Sequence, residues 1–209
     1  MCKKNIVLAI ETAFAGGCIS IFREENEIGR WIGQKHLAVS KDILEEVSIL
    51  LNKNEIKREH IQLIAISRDV GSLTGLRVGK ALAFGLSKSL NCEYREVSVL
   101  KSLLNAGEKT GNILTAICVE RGEFWYQIFY TGKGRKIVEL NSAERCDSGE
   151  IKKICAETIF DDTLIYSIER REFYLNESDK NPLEKVDFPE KKSGFLSKYI
   201  GLSAMRKAK

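Results

Sequence analysis

One short glycine-rich segment carries the residues in this chain that are best placed to do chemistry. The segment begins after the apolar run 64–67 and leads into a long stretch with apolar residues at helical spacing. Its small and polar residues are Gly71, Ser72, Thr74, Gly75 and Arg77. This order predicts a strand, a turn and a helix. Free backbone N–H groups and the positive end of the helix dipole would point out of the turn, so the segment predicts an anion or nucleotide-phosphate site. The same residues also fit an ordinary turn in which Ser72 or Thr74 caps the helix.

A second candidate lies where the first predicted strand ends, at Glu11-Thr12-Ala13. A phosphate-handling enzyme built on such a fold needs a carboxylate there to position a metal ion or an attacking group. Glutamate places its oxygens one methylene further out than aspartate, and Ala13 supplies no hydroxyl. Glu11 and Thr12 therefore join the nucleotide-binding candidates, with a structural role for Glu11 at the strand end as the alternative.

Metal and nucleophile chemistry have little support in the sequence. His36 is followed four residues later by Ser40, and His60 is far away along the chain. One imidazole and one hydroxyl make a poor transition-metal site. There is no Gly-x-Ser-x-Gly nucleophile turn. We therefore predict no catalytic residue, no metal ligand and no cofactor, with ATP and magnesium kept as the alternative.

Composition is that of an ordinary globular protein, with 209 residues, 44% hydrophobic, 30% charged and a net charge of +4. This charge is too small to predict nucleic-acid binding, and we interpret the basic residues near the end as a solvated tail. No apolar run is long enough to cross a bilayer, and no signal peptide is expected. Six cysteines without a Cys-x-x-Cys pair indicate reduced thiols in a cytoplasmic protein: residues 2, 18, 92, 118, 146 and 155.

The pattern of the first half predicts strands and helices in the order β, β, β, α, β, α, β, α. The predicted strands cover 5–11, 17–22, 27–34, 61–67 and 94–97, and the predicted helices cover 40–52, 75–90 and 99–105. Ser40 and Ser98 are the expected N-caps of the first and third helices. The first helix carries an apolar stripe at helical period: Ile43, Leu44, Val47, Leu50 and Leu51.

The segment 105–111 interrupts the pattern, and we place the boundary between two domains there, 1–106 and 107–209. The second half repeats the opening order. Its predicted strands cover 112–119, 123–131, 135–140 and 162–168, and a predicted helix covers 148–158 before the last strand. A last helix is predicted over 193–205. Three antiparallel strands followed by a helix and a strand, occurring twice, predict an α/β protein of two ribonuclease-H-like halves with mixed sheets flanked by helices.

Three segments resemble one known family. Gly-Ser-Leu-Thr-Gly-Leu-Arg-Val-Gly (71–79) resembles the glycine loop of the bacterial TsaB family, formerly YeaZ, of the glycoprotease-like superfamily. The segment 8–22 resembles its opening hairpin, and 116–126 resembles the start of its second half. The likeness covers roughly residues 5–130. It implies an actin-like fold and a role in threonylcarbamoyladenosine modification of tRNA beside the catalytic, metal-dependent TsaD.

Several positions depart from the family pattern and weaken the case for catalysis. Glu11-Thr12-Ala13 stands where Asp-Thr-Ser is usual, and Arg68-Asp69-Val70 replaces Gly-Pro-Gly. Asp69 at the mouth of the loop is expected to repel a phosphate. Cys118 and Glu120 stand where the family often has Asp and Arg. The resemblance with these changes predicts a non-catalytic partner subunit that supports threonylcarbamoyl transfer to adenosine 37 of tRNA by a TsaD-like enzyme.

The two long helices of the first half are the predicted docking surface. Leu44 and Val47, with Gly79 and Ala83, would offer apolar and small residues for close helix packing. We expect a homodimer when the partner is absent, only indirect contact with tRNA and none with membranes. Two alternatives remain at this point. One is a diverged paralogue acting as a dimerising scaffold with another partner, and the other is an actin-like ATP-dependent phosphotransferase using Glu11, loop 71–77 and magnesium.

Overall fold

Each half of the chain builds its own mixed sheet in the computed structural model. One unit comprises Met1–Ser102 with Phe195–Lys209, and the other comprises Leu103–Gly194. The structure describes residues 6–14, 16–33, 39–107, 110–119, 123–167, 172–175 and 196–206. Within these ranges, no helix combines the length and the apolar composition that crossing a membrane requires.

The first unit alternates strands and helices. Its strands are β1 (Ile6–Glu11), β2 (Cys18–Arg23), β3 (Asn26–Ile32), β4 (Ile61–Ser67) and β5 (Glu93–Val97). Its helices are α1 (Val39–Lys53), α2 (Leu73–Leu90), α3 (Val99–Leu103) and, from the end of the chain, α5 (Leu196–Arg206).

The strand order in the first sheet is β3-β2-β1-β4-β5. The opening strands pair antiparallel, with Leu8 opposite Ile21, whereas β1 and β4 run parallel, with Leu8 opposite Ile64. Strand β5 is parallel to β4. This is the ribonuclease-H-like arrangement that the sequence predicts, and the parallel pair brings the ends of β1 and β4 to one edge.

Helices cover both faces of this sheet, which is why β1 is buried along its whole length and apolar up to its last residue, Glu11. Leu8 and Ile10 face a core that α1 and α2 complete. Ala9 points the opposite way, toward Gly201 of α5, because successive side chains of a strand alternate between faces. Helix α5 contacts β1, β2, β4 and β5.

The place of α5 corrects the sequence-based division, which left this helix in the second half. Tyr199, Ile200 and Ala204 are buried, and the Ser197 hydroxyl lies 2.7 Å from that of Ser20 on β2. The Arg95 guanidinium on β5 donates a hydrogen bond of 2.6 Å to the carbonyl of Ala204. The helix lies on the first unit because that sheet would otherwise expose an apolar face.

The second unit repeats the opening order. Its elements are β6 (Gly111–Cys118), β7 (Glu123–Thr131), β8 (Ile137–Glu139), β9 (Glu144–Asp147), α4 (Ser148–Glu157), β10 (Asp162–Ser167) and β11 (Glu172–Leu175). The sheet order is β11-β10-β6-β7-β8, with β9 pairing along the other part of β7. Strands β6 and β10 are parallel, as β1 and β4 are in the first unit. Helix α4 covers one face through Ile151 and Ile154.

Most predicted elements are confirmed within a few residues, and β4 is confirmed at both ends. Ser98 caps α3 as predicted, because its hydroxyl accepts a hydrogen bond from the Lys101 amide. The predicted N-cap at Ser40 is wrong, since α1 already includes Val39. The sequence pattern also missed β9 and β11. Strand β9, Glu-Arg-Cys-Asp, has no alternation of apolar and polar residues for the pattern to detect.

Candidate functional site

The candidate site lies at the edge where β1 and β4 both end. Glu11 is the last residue of β1 and Ser67 the last of β4. The turn 12–14 follows the first strand, and the glycine loop 71–75 follows the second. In sheets with parallel strands, ligands bind in the crevice outside the carboxyl ends of the strands. The structure therefore brings the two sequence-predicted segments together.

Glu11 is turned inward, and only 2% of its surface is exposed. Its Oε1 accepts hydrogen bonds from the backbone amides of Ala13 and of Phe14, the latter at 3.2 Å. Burial raises the pKa of the Glu11 carboxyl from 4.5 to about 8, because desolvation outweighs the amides and the Ser67 hydroxyl, which lower it. The Ser67 hydroxyl itself has no hydrogen bond of ordinary geometry among the described residues. Glu11 is therefore a buried acid that closes its own turn.

The turn and the glycine loop are joined by direct hydrogen bonds. The Thr12 hydroxyl donates to the carbonyl of Gly75 at 2.8 Å, and this contact is buried. The Ser72 amide donates to the carbonyl of Ala13 at 2.7 Å. These bonds engage the Thr12 hydroxyl and the Ser72 amide, two donors that could otherwise bind a phosphate at this edge.

Glycine at positions 71, 75 and 79 is required by the closeness of this contact. A Cβ on Gly71, whose φ is +114°, would lie 2.6 Å from the Cβ of Ala13. A Cβ on Gly75 would lie 2.2 Å from the Thr12 carbonyl oxygen, and one on Gly79 would lie 2.1 Å from Oγ1 of Thr12. Spacing of four residues places 75 and 79 on one side of α2. That side of the helix lies directly on the strand-one turn.

The remaining predicted residues of the loop face outward. Ser72 caps α2, because its hydroxyl accepts a hydrogen bond of 3.3 Å from the Gly75 amide. Thr74 and Arg77 are exposed in the first turns of the same helix. The seven residues predicted for an anion site thus share one edge, but they separate into an inward set bound within the fold and an outward set of Ser72, Thr74 and Arg77.

The sequence predicts that the negative charge of Asp69 at the entrance of the glycine loop repels a phosphate. In the structure, this carboxylate is bound to other groups of the chain. Its Oδ1 accepts a hydrogen bond of 3.0 Å from the Val99 amide at the start of α3. Its other oxygen lies 3.8 Å from Nε of Arg68. The Asp69 charge is thus engaged with a helix start and a neighbouring cation.

Three of the four predicted interface residues are core residues. Val47 and Ala83 belong to the core between the helices and the first sheet. Gly79 is buried against Thr12 and Ile66 rather than against a partner helix. Leu44 is the exception, with 43% of its surface exposed. Small residues in a helix indicate close packing, but they do not tell which neighbour is packed.

The exposed apolar residues of α1 and α2 are different ones. On α1 Ile49 joins Leu44, and on α2 Leu73 and Phe84 are exposed by 71% and 52%. The Phe84 ring meets Tyr94 edge-on at 6.1 Å, and Lys88 Nζ lies 5.3 Å from its centre. Helical periodicity could have found both α2 residues, since they lie away from the side of that helix on which Leu76, Gly79 and Ala83 are buried.

The described part of the chain shows no metal centre, and two of its thiols are not activated. No group of three or more His, Cys, Asp or Glu side chains among those residues could hold a metal ion. Cys146 and Cys155 pack against the core of the second unit. Burial raises the pKa of both thiols to about 11, which keeps them protonated near neutral pH.

Comparison with known proteins finds similarity to proteins of tRNA threonylcarbamoyladenosine modification. The family model of TsaD, tRNA N6-adenosine threonylcarbamoyltransferase, matches residues 34–120. The tRNA threonylcarbamoyladenosine biosynthesis protein TsaB of Bacillus subtilis (strain 168) is 27% identical over 129 residues, which are 61% of this chain and 56% of that protein. The chain thus spans little more than half the length of this curated relative.

Solved structures show the same fold. YeaZ from Pseudomonas aeruginosa superposes with a TM-score of 0.54 at 18% identity, covering 68% of this chain and 67% of that one. A second structure, described as an uncharacterized protein with similarity to peptidase YEAZ from the same organism, gives the same values. Two mixed sheets with flanking helices define an actin-like fold. Within that class, the chain is similar to proteins of the TsaB/YeaZ family.

Proposed function

We propose that this chain is a non-catalytic partner subunit in threonylcarbamoyladenosine biosynthesis, which supports transfer of the threonylcarbamoyl group to adenosine 37 of tRNA by a TsaD-like enzyme. The likeness to TsaB and the match to the TsaD family model support the pathway. The observation that carries the non-catalytic role is the closed strand-one turn, in which Glu11 and Thr12 bind their own chain. Neither side chain is left to orient a substrate or a metal ion.

The outer face of α1 and α2 is the docking surface that we propose for the TsaD-like partner. We define this outer face by its exposed apolar residues Leu44, Ile49, Leu73 and Phe84. Large exposed apolar residues, aromatic ones above all, are enriched at protein interfaces.

Phe84 is the strongest candidate for an anchor on this face. Its contacts with Tyr94 and Lys88 hold the ring in place while half of it stays exposed. A ring ordered before binding loses little conformational entropy when a partner covers it. In the absence of the partner, a second copy of the chain covers the same face as a homodimer, because twofold pairing is the simplest closed arrangement. Contact with tRNA is then indirect, through the partner, and no membrane is involved.

Co-expression with the TsaD-like protein of the same organism tests the proposal. We expect a stable complex by size-exclusion chromatography with light scattering. Phe84→Glu and Leu44→Glu each place a charge in the docking surface and should weaken the complex by about 100-fold or more, without lowering Tm. Ile159→Glu is the matched control, because Ile159 is 93% exposed in the other unit. That change should leave the complex intact.

The binding experiment, together with an ATPase assay on the isolated chain, separates the alternatives. A chain that forms homodimers but never binds the TsaD-like protein is the diverged scaffold. ATP hydrolysis by the isolated chain that Glu11→Ala abolishes identifies a phosphotransferase and overturns the proposal. No feature of the described residues favours that enzyme over the partner subunit.

A further inference from the structure

The turn after β1 contains two backbone amides that converge on one oxygen atom. The amides of Ala13 and Phe14 both donate to Oε1 of Glu11, two and three residues earlier in the chain. Successive amides that point to a common centre form a pocket suited to an anionic oxygen such as that of a phosphate. Here a side chain of the same turn already fills the pocket.

The other polar groups of the turn are held by hydrogen bonds to the glycine loop. The Ala13 carbonyl is bound by the Ser72 amide, and the Thr12 hydroxyl is bound to the Gly75 carbonyl. Gly71 lies so close that even a Cβ would come within 2.8 Å of the Ala13 carbonyl oxygen. A phosphate could reach the two amides only after the Glu11 side chain had left.

We propose that the Glu11 carboxyl group is an internal occupant of this amide pocket and keeps phosphate groups out of it. Glu11 is thus a positioning residue that fixes the shape of the strand-one turn, on which α2 lies. The role concerns the chain by itself, so it does not depend on the partner that we propose above.

The glutamate length suits this role. Glu11 belongs to β1 and pairs with Cys18 of β2, so its backbone is fixed by the sheet. The side chain then reaches forward over its own turn and supplies one oxygen to both amides. A residue with no oxygen at this distance leaves both amides unpaired in a buried place, and an unpaired buried amide seeks another acceptor.

Phosphate binding measured on matched variants tests the proposal. The probes are inorganic phosphate and Mg-ATP, added to the full 15N-labelled chain, and the readout is the Ala13 and Phe14 amide signals. In the wild type these two signals should shift with pH as the Glu11 carboxyl titrates, and neither probe should shift them. Glu11→Gln keeps an oxygen in the pocket and should also ignore both probes. Glu11→Ala empties the pocket, so phosphate should shift the two amide signals of this variant. Its affinity for phosphate should be at least about tenfold higher than that of the wild type.

Three results would overturn the proposal. One is saturable shifts of the two amides in the wild type, and another is a folded Glu11→Ala chain whose amides ignore phosphate. The third is Glu11→Gln binding phosphate as Glu11→Ala does, since exclusion would then come from charge rather than occupancy. If Glu11→Ala does not fold, the wild type and Glu11→Gln decide. The proposal is supported if neither probe shifts the Ala13 and Phe14 amide signals and if the wild-type signals follow the titration of Glu11. It is overturned if the wild-type signals do not follow that titration.

Discussion

At the scale of single residues, Glu11 combines a charge-bearing group with almost complete burial. Its sequence position at the end of a strand could be predicted, and so could its place near a glycine loop. Its burial could not, because β4, whose Ser67 side chain acts on the Glu11 carboxyl, pairs with β1 from a distant part of the sequence. The burial of a carboxyl group depends on tertiary contacts, which a local sequence pattern does not encode.

The raised pKa of Glu11 predicts a pH dependence of stability. In the unfolded chain Glu11 loses its proton near pH 4.5, whereas in the folded chain it holds the proton to about pH 8. Between these values the folded state binds more protons than the unfolded state, so the free energy of unfolding falls as pH rises. The contribution of this one group is at most about 1.4 kcal/mol for each pH unit.

Urea unfolding of the wild type and of Glu11→Gln from pH 5 to pH 9 measures this contribution. The glutamine does not titrate, so the variant should gain stability relative to the wild type as pH rises, with the change complete above about pH 8. Subtracting the two curves removes the effect of all other titrating groups. Parallel curves across this range would show that the Glu11 pKa is not raised.

At the scale of elements, the strand-one turn and α2 form one packed contact that depends on glycine. The sequence predicts α1 well, because Ile43, Val47, Leu50 and Leu51 recur at helical spacing and all are buried. Leu44 belongs to the same predicted stripe and is exposed. Periodicity identifies the apolar side of a helix, but the edge of that side is decided by where the neighbouring helix ends.

Substitution of Gly75 by Ala should destabilise the first unit. The added Cβ would lie 2.2 Å from the backbone carbonyl oxygen of Thr12, so α2 or the turn must move apart. Overpacking of this kind costs about 1–3 kcal/mol. Thermal unfolding followed by circular dichroism measures the loss as a Tm several degrees lower.

Gly85 is the matched control in the same helix. A Cβ there would meet nothing within 4 Å, so Gly85→Ala should add only the better helix propensity of alanine. This change should raise stability by about 0.5–1 kcal/mol. Equal effects of the two substitutions would mean that the contact with Thr12 does not require glycine.

At the scale of the whole molecule, the first unit is built from two stretches of chain that are distant in sequence. The two repeated β-rich halves could be predicted, because each carries its own strand and helix periodicity. The return of α5 to the first sheet could not, because an amphipathic helix fits any exposed apolar face. Only the uncovered side of β1 and β2, around Ala9 and Phe22, decides where it packs.

Removal of α5 should therefore damage the first unit more than the second. A chain ending at residue 195 would expose the sheet face that Tyr199, Ile200 and Ala204 cover. We expect increased binding of a hydrophobic dye and loss of amide protection in β1 and β2, with β6 and β10 less affected. Hydrogen exchange with mass spectrometry checks this. A chain ending at Arg206 is the control, and equal protection in both chains would contradict the structural role of α5.

The split first unit also has a consequence for biosynthesis. The ribosome must make residues 103–194 after it has made β1–β5 and before α5 exists. At about 5–20 residues per second, the nascent chain carries a first sheet with one face uncovered for roughly 5–20 s. During that interval the apolar surface around Phe22 is open to chaperones. The second unit, which is continuous in sequence, is fully synthesised before α5, so the unit that is begun first is completed last.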